Sequence, residues 1–341
     1  MIGYLSHPSR RVHYLLNLSF FPIALFLFTS CDYKEKELVY VEATLVDEIR
    51  DWNDSIFFGR LTDIEYANNK YFLTDGSANQ VIVMNDQLEY VARFGDSGEG
   101  PAEIRAIMNV EPSGNDIYVQ DILGAKVLKY NSNYQLTDTF KVHLSPSELI
   151  VNDDQIIGQV YGEIENPFSV INTISKEQHR FGNNLEADLG FPFKHLIKYK
   201  DLILVFHQIN SAKIEVYDAN GEFLSSTDLS HLNEDFAKWL ESTNIPQKVQ
   251  TSTRRIRNAQ FVFFDAVLHN DKFYLNPPPM SINGKEDGII LEVSMNDQLD
   301  FNIDRIIHLN EYISLGCFTI SNGNRIIGFE PINGSIKIFE F

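Results

Sequence analysis

From residue 38 onward the chain is built of short β-rich runs separated by turn residues. One unit recurs. A strand of large apolar residues is followed by a few loop residues and then a second strand ending near Asn or Asp. In the first copy Lys70-Tyr71-Phe72-Leu73-Thr74-Asp75 precedes Gln80-Val81-Ile82-Val83-Met84-Asn85. The second copy pairs Asp116–Asp121 with Ala125–Asn131, the fourth Leu202–Phe206 with Lys213–Asp218, and the last Arg325–Phe329 with Gly334–Phe339. Weaker copies lie at Gln155–Val160 with Ser169–Thr173 and at Lys272–Leu275 with Gly288–Val293.

These make six units, spaced mostly by ~40–50 residues, the range of a four-stranded propeller blade. A single blade cannot bury both its faces, so blades must stack around an axis. The pattern therefore predicts an all-β fold, a six-bladed β-propeller over residues 38–341. The last unit offers three strands, Gly316–Ile320, Arg325–Phe329 and Ser335–Phe339. Its fourth is expected from the N-terminal run Leu38–Leu45, which would close the ring and remove exposed strand edges. Twenty-five Phe and fifteen Tyr suit bulky packing between blades. Residues 230–258 break the period. They contain DFAKWLES, an amphipathic pattern with Ser230 or Asn233 as its cap, which predicts a short helical insertion between blades four and five. Asn276-Pro277-Pro278-Pro279 reads as a rigid extended loop in the fifth blade.

Residues 1–30 carry Arg10 and Arg11 and no acidic residue, and Leu15–Phe28 is almost wholly apolar. Thr29, Ser30 and Cys31 follow, then the charged stretch DYKEKE. This is the layout of a secretory signal peptide, with an apolar core too short to span ~30 Å of hydrocarbon comfortably. With a cysteine at the cleavage point it resembles a bacterial lipoprotein signal. The resemblance implies that residues 1–30 are removed, that Cys31 is acylated, and that residues 31–37 form a tether. Acyl chains would hold the body at a bilayer at ~0.8 kcal/mol per buried methylene. Asp32, Glu35 and Glu37 resemble the surface-export signal of Bacteroidetes lipoproteins, although Lys34 and Lys36 interrupt the run. The plainer reading is a solvated tether. The expected location is the cell envelope, at the outer membrane, on its periplasmic or surface face.

Formal net charge is −19, and loss of the signal removes two arginines more. Such a surface repels phosphate backbones and excludes nucleic acid as a partner. The chain has two cysteines. If Cys31 is acylated, Cys317 has no disulfide partner, and within LGCFTI it reads as a small core residue.

Phe94–Glu103 reads FGDSGEGPAE. Its Gly95, Gly98, Gly100, Pro101 and Glu103 match the segment G-x-x-G-x-G-P-x-E, and the chain resembles the six-bladed β-propeller lipoproteins of Bacteroidetes. Those are related to TolB-like and NHL-repeat propellers and carry the segment after the first full blade. The resemblance implies a fold and a location and names no reaction. In its own chemistry the motif is a turn: glycines permit φ > 0 and Pro101 stiffens the exit. Glu103 can accept hydrogen bonds from loop amides or the next blade, which makes the motif an inter-blade connector. The rival reading makes Glu103 a ligand group at the channel mouth. The segment lacks the Lys and Ser/Thr of a P-loop, and its Asp96, Glu99 and Glu103 would repel phosphate.

No G-x-S-x-G elbow or H-E-x-x-H motif occurs. Beyond the signal there are seven histidines, none at metal-ligand spacing in sequence. His207 and His269, on or beside strands, are the candidates for an axial group, against the commoner structural role. Asp218-Ala219-Asn220-Gly221 lacks the downstream Glu of a calcium loop and reads as a β-turn. Arg254, Arg255 and Arg257 form a dense basic cluster suited to a carboxylate or acidic sugar, or to a solvated face. No metal or other cofactor is expected on these grounds. Two functions fit. One is a lipid-anchored binding or scaffolding module for an envelope protein, glycan or peptide, which a sensor would also resemble. The other is a metal-assisted lyase or hydrolase acting on an acidic saccharide or small amide. The enzyme needs three or more His, Asp or Glu side chains converging at one end of the channel.

Overall fold

A computed structural model describes residues 38–52, 56–57, 59–163, 165–183, 194–208, 211–231, 236–238, 262–282, 285–310 and 313–341. All six expected units appear as antiparallel sheets. The first blade is Leu61–Ala67, Lys70–Asp75, Gln80–Asn85 and Tyr90–Phe94. The second is Ile107–Ser113, Asp116–Asp121, Lys126–Asn131 and Leu136–Lys141. The third, weak in sequence, has four strands: Leu144–Asn152, Gln155–Val160, Phe168–Asn172 and Gln178–Phe181. The fourth is Lys194–Tyr199, Leu202–His207, Lys213–Asp218 and Phe223–Asp228. The first strand of each blade touches the first strand of the next, and the sixth touches the first, so the inner strands form a closed ring.

Closure differs in detail from the expectation. The N-terminal run is split at buried Ala43, whose N–H donates to the His308 carbonyl at 2.7 Å. Val39–Glu42 pairs in parallel with Phe301–His308 and adds a fifth strand to blade five, outside Asp265–His269, Lys272–Asn276 and Ile289–Met295. Thr44–Ile49 then pairs antiparallel with Ser335–Glu340 and completes blade six beside Arg325–Glu330 and Cys317–Ser321. One segment thus ties the last two blades together and covers both their outer edges.

Strand alternation explains the near-continuous apolar runs. Successive side chains point to opposite faces, and here both faces meet a neighbouring blade. Along Leu202–His207, Ile203 and Val205 pack against blade three while Leu204 and Phe206 pack against blade five. Six such inter-blade cores occur, one per junction. Cys317 is buried in the core between blades six and one.

The Asn or Asp at the end of the third strand in blades one, two, four and five has a job in the following turn. Asn85 Oδ1 accepts the Gln87 and Glu89 N–H groups, and Asn131, Asp218 and Asn296 repeat the pattern. The fourth turn residue is left-handed, at Leu88, Tyr134, Gly221 and Leu299. This is a type I turn with a one-residue bulge, stapled by a side chain. Asp218–Gly221 is one of these turns.

Between blades four and five, Leu229–His231 forms a 3-10 turn and residues 236–238 are helical, with Phe236 buried beside Phe263. The remainder of the insertion, including Arg254, Arg255 and Arg257, lies outside the described residues. So do the signal segment and Cys31. No helix among the described residues is long and apolar enough to cross a membrane.

Candidate functional site

The six inner strands deliver polar side chains to one end of the axis. Asp63, Asn109, Glu148, His195, Asp265 and Cys317, one from each blade, line a cavity of about 600 Å³. At its centre the His195 ring lies between two carboxylates. Glu148 Oε2 is 2.9 Å from Nδ1 and Asp265 Oδ1 is 2.8 Å from Nε2. The distances suit hydrogen bonds, yet neither nitrogen has hydrogen-bond geometry toward its neighbour, because the oxygens lie off the N–H directions.

Two of the acids are held by the next blade. The Phe318 N–H of blade six donates to Asp265 Oδ2 at 2.7 Å, and the Val110 N–H of blade two donates to Asp63 Oδ2 at 2.8 Å. Both acids take a second backbone donor as well: Asp265 Oδ1, the oxygen beside His195, accepts the Ala266 N–H at 2.7 Å, and Asp63 accepts the Ile64 N–H. Glu65 and Glu111 lie two residues along the strands from Asp63 and Asn109, on the same face. Glu65, Glu111 and Glu148 are only partly buried, and Glu148 lines the cavity.

Burial and mutual repulsion dominate the electrostatics. Burial raises Asp63 and Asp265 to about 6 each, with backbone N–H groups and His195 opposing the shift. Glu111 rises to about 8 through burial and Asp63, with the Val151 backbone and Lys198 opposing. Glu65 and Glu148 are pushed well above the carboxylate range by burial and by neighbouring carboxylates. His195 is lowered by burial despite Asp265 and Asp63, so a neutral imidazole is favoured. Burial raises the Cys317 thiol, and the surrounding carboxylates add to it. Cys317 therefore lines this cavity as well as the core.

The histidines singled out in the sequence lie elsewhere. His207 is on the second strand of blade four and sits 3.0 Å from Lys194 Nζ and 3.4 Å from Glu215 Oε1. Burial raises Glu215, but His207, Lys194 and Lys213 outweigh it and hold the carboxyl well below the usual range. His207 belongs to this ion cluster within the blade. His269 is half-exposed at the far end of the inner strand that begins with Asp265, beside Asn270.

The glycine-rich motif is a strapped loop. Gly95 is left-handed, and a Cβ on Gly98 would lie 2.1 Å from Glu103 Oε2, so a larger residue there would displace the Glu103 carboxylate. Glu103 Oε2 accepts the Gly100 N–H at 2.8 Å, and Gly98 N–H donates to the Ile104 carbonyl at 3.0 Å. Buried Lys126 of blade two donates to the carbonyls of Gly100, Pro101 and Glu103 at 2.9, 3.2 and 2.6 Å. Gly100, Pro101 and Lys126 also border a groove of about 780 Å³ between blades two and three, with Arg105, Lys141 and Arg180. Glu103 faces its own loop, away from the axial cavity.

A family model described as a 6-bladed beta-propeller, DUF5128, matches residues 52–178. The chain is a six-bladed β-propeller. Solved propellers share the fold at low identity. An exported protein of Bacteroides fragilis is similar with a TM-score of 0.55 at 12% identity, over 89% of this chain and 98% of its own. A DUF4221 family member from Bacteroides vulgatus gives 0.55 at 9%, over 89% and 98%. The β-propeller domain of Cps50 (Swd1) from Myceliophteria thermophila gives 0.51 at 10%, over 88% and 99%. These likenesses concern the fold, which hosts many functions. No curated protein matches the sequence.

Proposed function

We propose that this propeller is a binding module of the cell envelope whose ligand enters the axial cavity and is recognised by its positive charge. One observation carries the reading: all six blades deliver polar groups to a single cavity, most of them buried, and three of its lining groups are carboxylates against one cation, the exposed Arg60. A volume of about 600 Å³ is the size of a small-molecule or side-chain pocket. An ammonium or guanidinium group would relieve carboxylate repulsion there. The site is then axial, and it is built from residues other than His207 and His269.

The apolar segment ending at Cys31 supports export and lipid anchoring, with a protein, glycan or peptide of the envelope as partner. A Cys31→Ser chain should lose incorporation of a labelled fatty acid and leave the membrane fraction; retention of both would refute the anchor. The pocket is tested by thermal shift with spermidine and a lysine-rich peptide against citrate. The cations should raise Tm in the wild type and fail to do so in Glu148→Gln. Equal response of the two proteins would refute the site.

The convergence of Glu148, His195 and Asp265 favours a second reading, a lyase or hydrolase. A neutral imidazole between two carboxyls can accept and return a proton. The acidic wall would repel an acidic saccharide, so a small amide fits this alternative better. Turnover abolished by His195→Gln would support it.

A further inference from the structure

We propose that the floor of the axial cavity is a divalent-cation site built from Glu148, His195 and Asp265, a refinement that rests on the axial cavity being the ligand site. One donor atom from each of the three lies within 4.8 Å of the other two. Asp63, Glu65 and Glu148 form a second trio of the same kind that shares Glu148. The spacing matches donors converging on one ion. The carboxylate oxygens lie 2.9 Å from Nδ1 and 2.8 Å from Nε2, off the N–H directions, and are poorly placed as acceptors; an ion bound to one of these nitrogens would have both oxygens within 4.8 Å of that nitrogen.

Two further side chains point to a missing partner. Asn109 Oδ1 and Ser147 Oγ line the same cavity, are 7% and 6% exposed, and have no hydrogen-bond partner. Buried oxygens without partners are costly. A cation would satisfy oxygens that no protein donor reaches. The charges acting on Asp63, Glu65, Glu148 and Asp265 are one another, Glu111 on the two glutamates and His195 on the two aspartates. A divalent ion would balance two of them.

The backbone positions the ligands. The Phe318 N–H fixes Asp265 by Oδ2, and the Ala266 N–H holds Oδ1 at 2.7 Å in its place beside His195. Restraint of a ligand by a second hydrogen bond is a general feature of metal sites. Imidazole with carboxylates selects a first-row transition cation such as Zn²⁺ or Mn²⁺ over Mg²⁺ or Ca²⁺.

The full chain, stripped with chelator, is titrated with ZnCl₂ and MnCl₂ by calorimetry, and spermidine is run in parallel by thermal shift. The expected result is one equivalent of Zn²⁺ or Mn²⁺ bound, with affinity weakened about tenfold or more in Glu148→Gln and in His195→Gln. Asp265 also supports blade six, so these two variants carry the test, each first checked for a wild-type metal-free melt. Metal binding that is equal in wild type and variants would place the ion elsewhere and overturn the proposal. No binding at millimolar metal, with a Glu148-dependent response to spermidine, would overturn the metal site and leave the cationic pocket standing. Silence toward both would overturn both.

Discussion

Replacing Lys126 with Met tests whether the glycine motif is a structural strap. Lys126 is 8% exposed, and its ammonium donates to three carbonyls of the loop and lies 3.7 Å from Asp121 Oδ2. Methionine keeps most of the stem volume and removes the charge. A hydrogen bond to a charged group contributes about 1.5–3 kcal/mol. The three carbonyls do not count in full, because Pro101 is exposed and can turn to water. Asp121 does count. Its Oδ1 is held by the Ala106 and Gly124 N–H groups, while Oδ2 is buried, has no hydrogen-bond partner among the described residues and faces the ammonium at 3.7 Å. Removing one partner of a buried ion pair costs about 3–5 kcal/mol, and we expect the whole substitution to cost that much. For a body of roughly 300 residues the unfolding entropy is about 0.6 kcal/mol/K, so Tm should fall by about 5–8 °C. Urea unfolding should show a lower midpoint with an unchanged slope. A loss below about 1 kcal/mol would mean that water already serves these carbonyls, and the strap account would be wrong.

Other outcomes follow from the same structure. Deleting residues through 43 should leave a closed but less stable ring, whereas deleting through 49 uncovers the Ser335–Glu340 edge and should give aggregation in size-exclusion chromatography. Gly288→Ala places a Cβ 2.3 Å from the Ile313 carbonyl oxygen, a backbone atom, and should cost about 3 kcal/mol or more by chemical denaturation. Phe206→Ala, at 0% exposure between blades four and five, should cost about 3–5 kcal/mol. Glu111 bears on pH. Its folded value of about 8 exceeds the ordinary 4.5, so the folded state holds the proton more tightly. Its stabilising contribution is complete below the ordinary value and is lost as pH rises through about 8. Glu111→Gln should therefore flatten the fall in Tm between about pH 4.5 and about pH 8, and an unaltered slope there would contradict the shift.

The fold was legible because each blade repeats its instructions locally. Tyr71, Phe72 and Leu73 mark a strand buried on both faces, and Asn85 or Asp218 marks the turn that follows. Closure was half legible: the strand propensity of residues 38–45 is plain, but the switch between blades at Ala43 depends on what each edge lacks. The site was hidden for a physical reason. Glu148, His195 and Asp265 come from three blades, so their proximity is a property of the ring and leaves no spacing in the chain. The signal was the place of each residue within its unit, a polar side chain near the start of each inner strand. His207 misled because it lies opposite Lys194 in register, on the second strand. His269 lies four residues past Asp265, which is ~13 Å further along a strand.

Position on the axis separates structural from functional acids. Asp63 and Asp265 each bind a backbone N–H of the neighbouring blade, and Glu111 does the same toward Val151, so ring closure alone accounts for a carboxylate at these places. Glu148 has no such use. Among the described residues its close contact is His195, and burial beside three other carboxylates raises it well above its ordinary value. A propeller under selection for stability alone would carry an apolar or amide residue there, since a carboxyl lacking a donor lowers stability. Departures from local consistency of this kind concentrate where a protein does its work. On that ground Glu148, more than the histidine it touches, is the residue whose replacement best separates a ligand site from a well-closed ring.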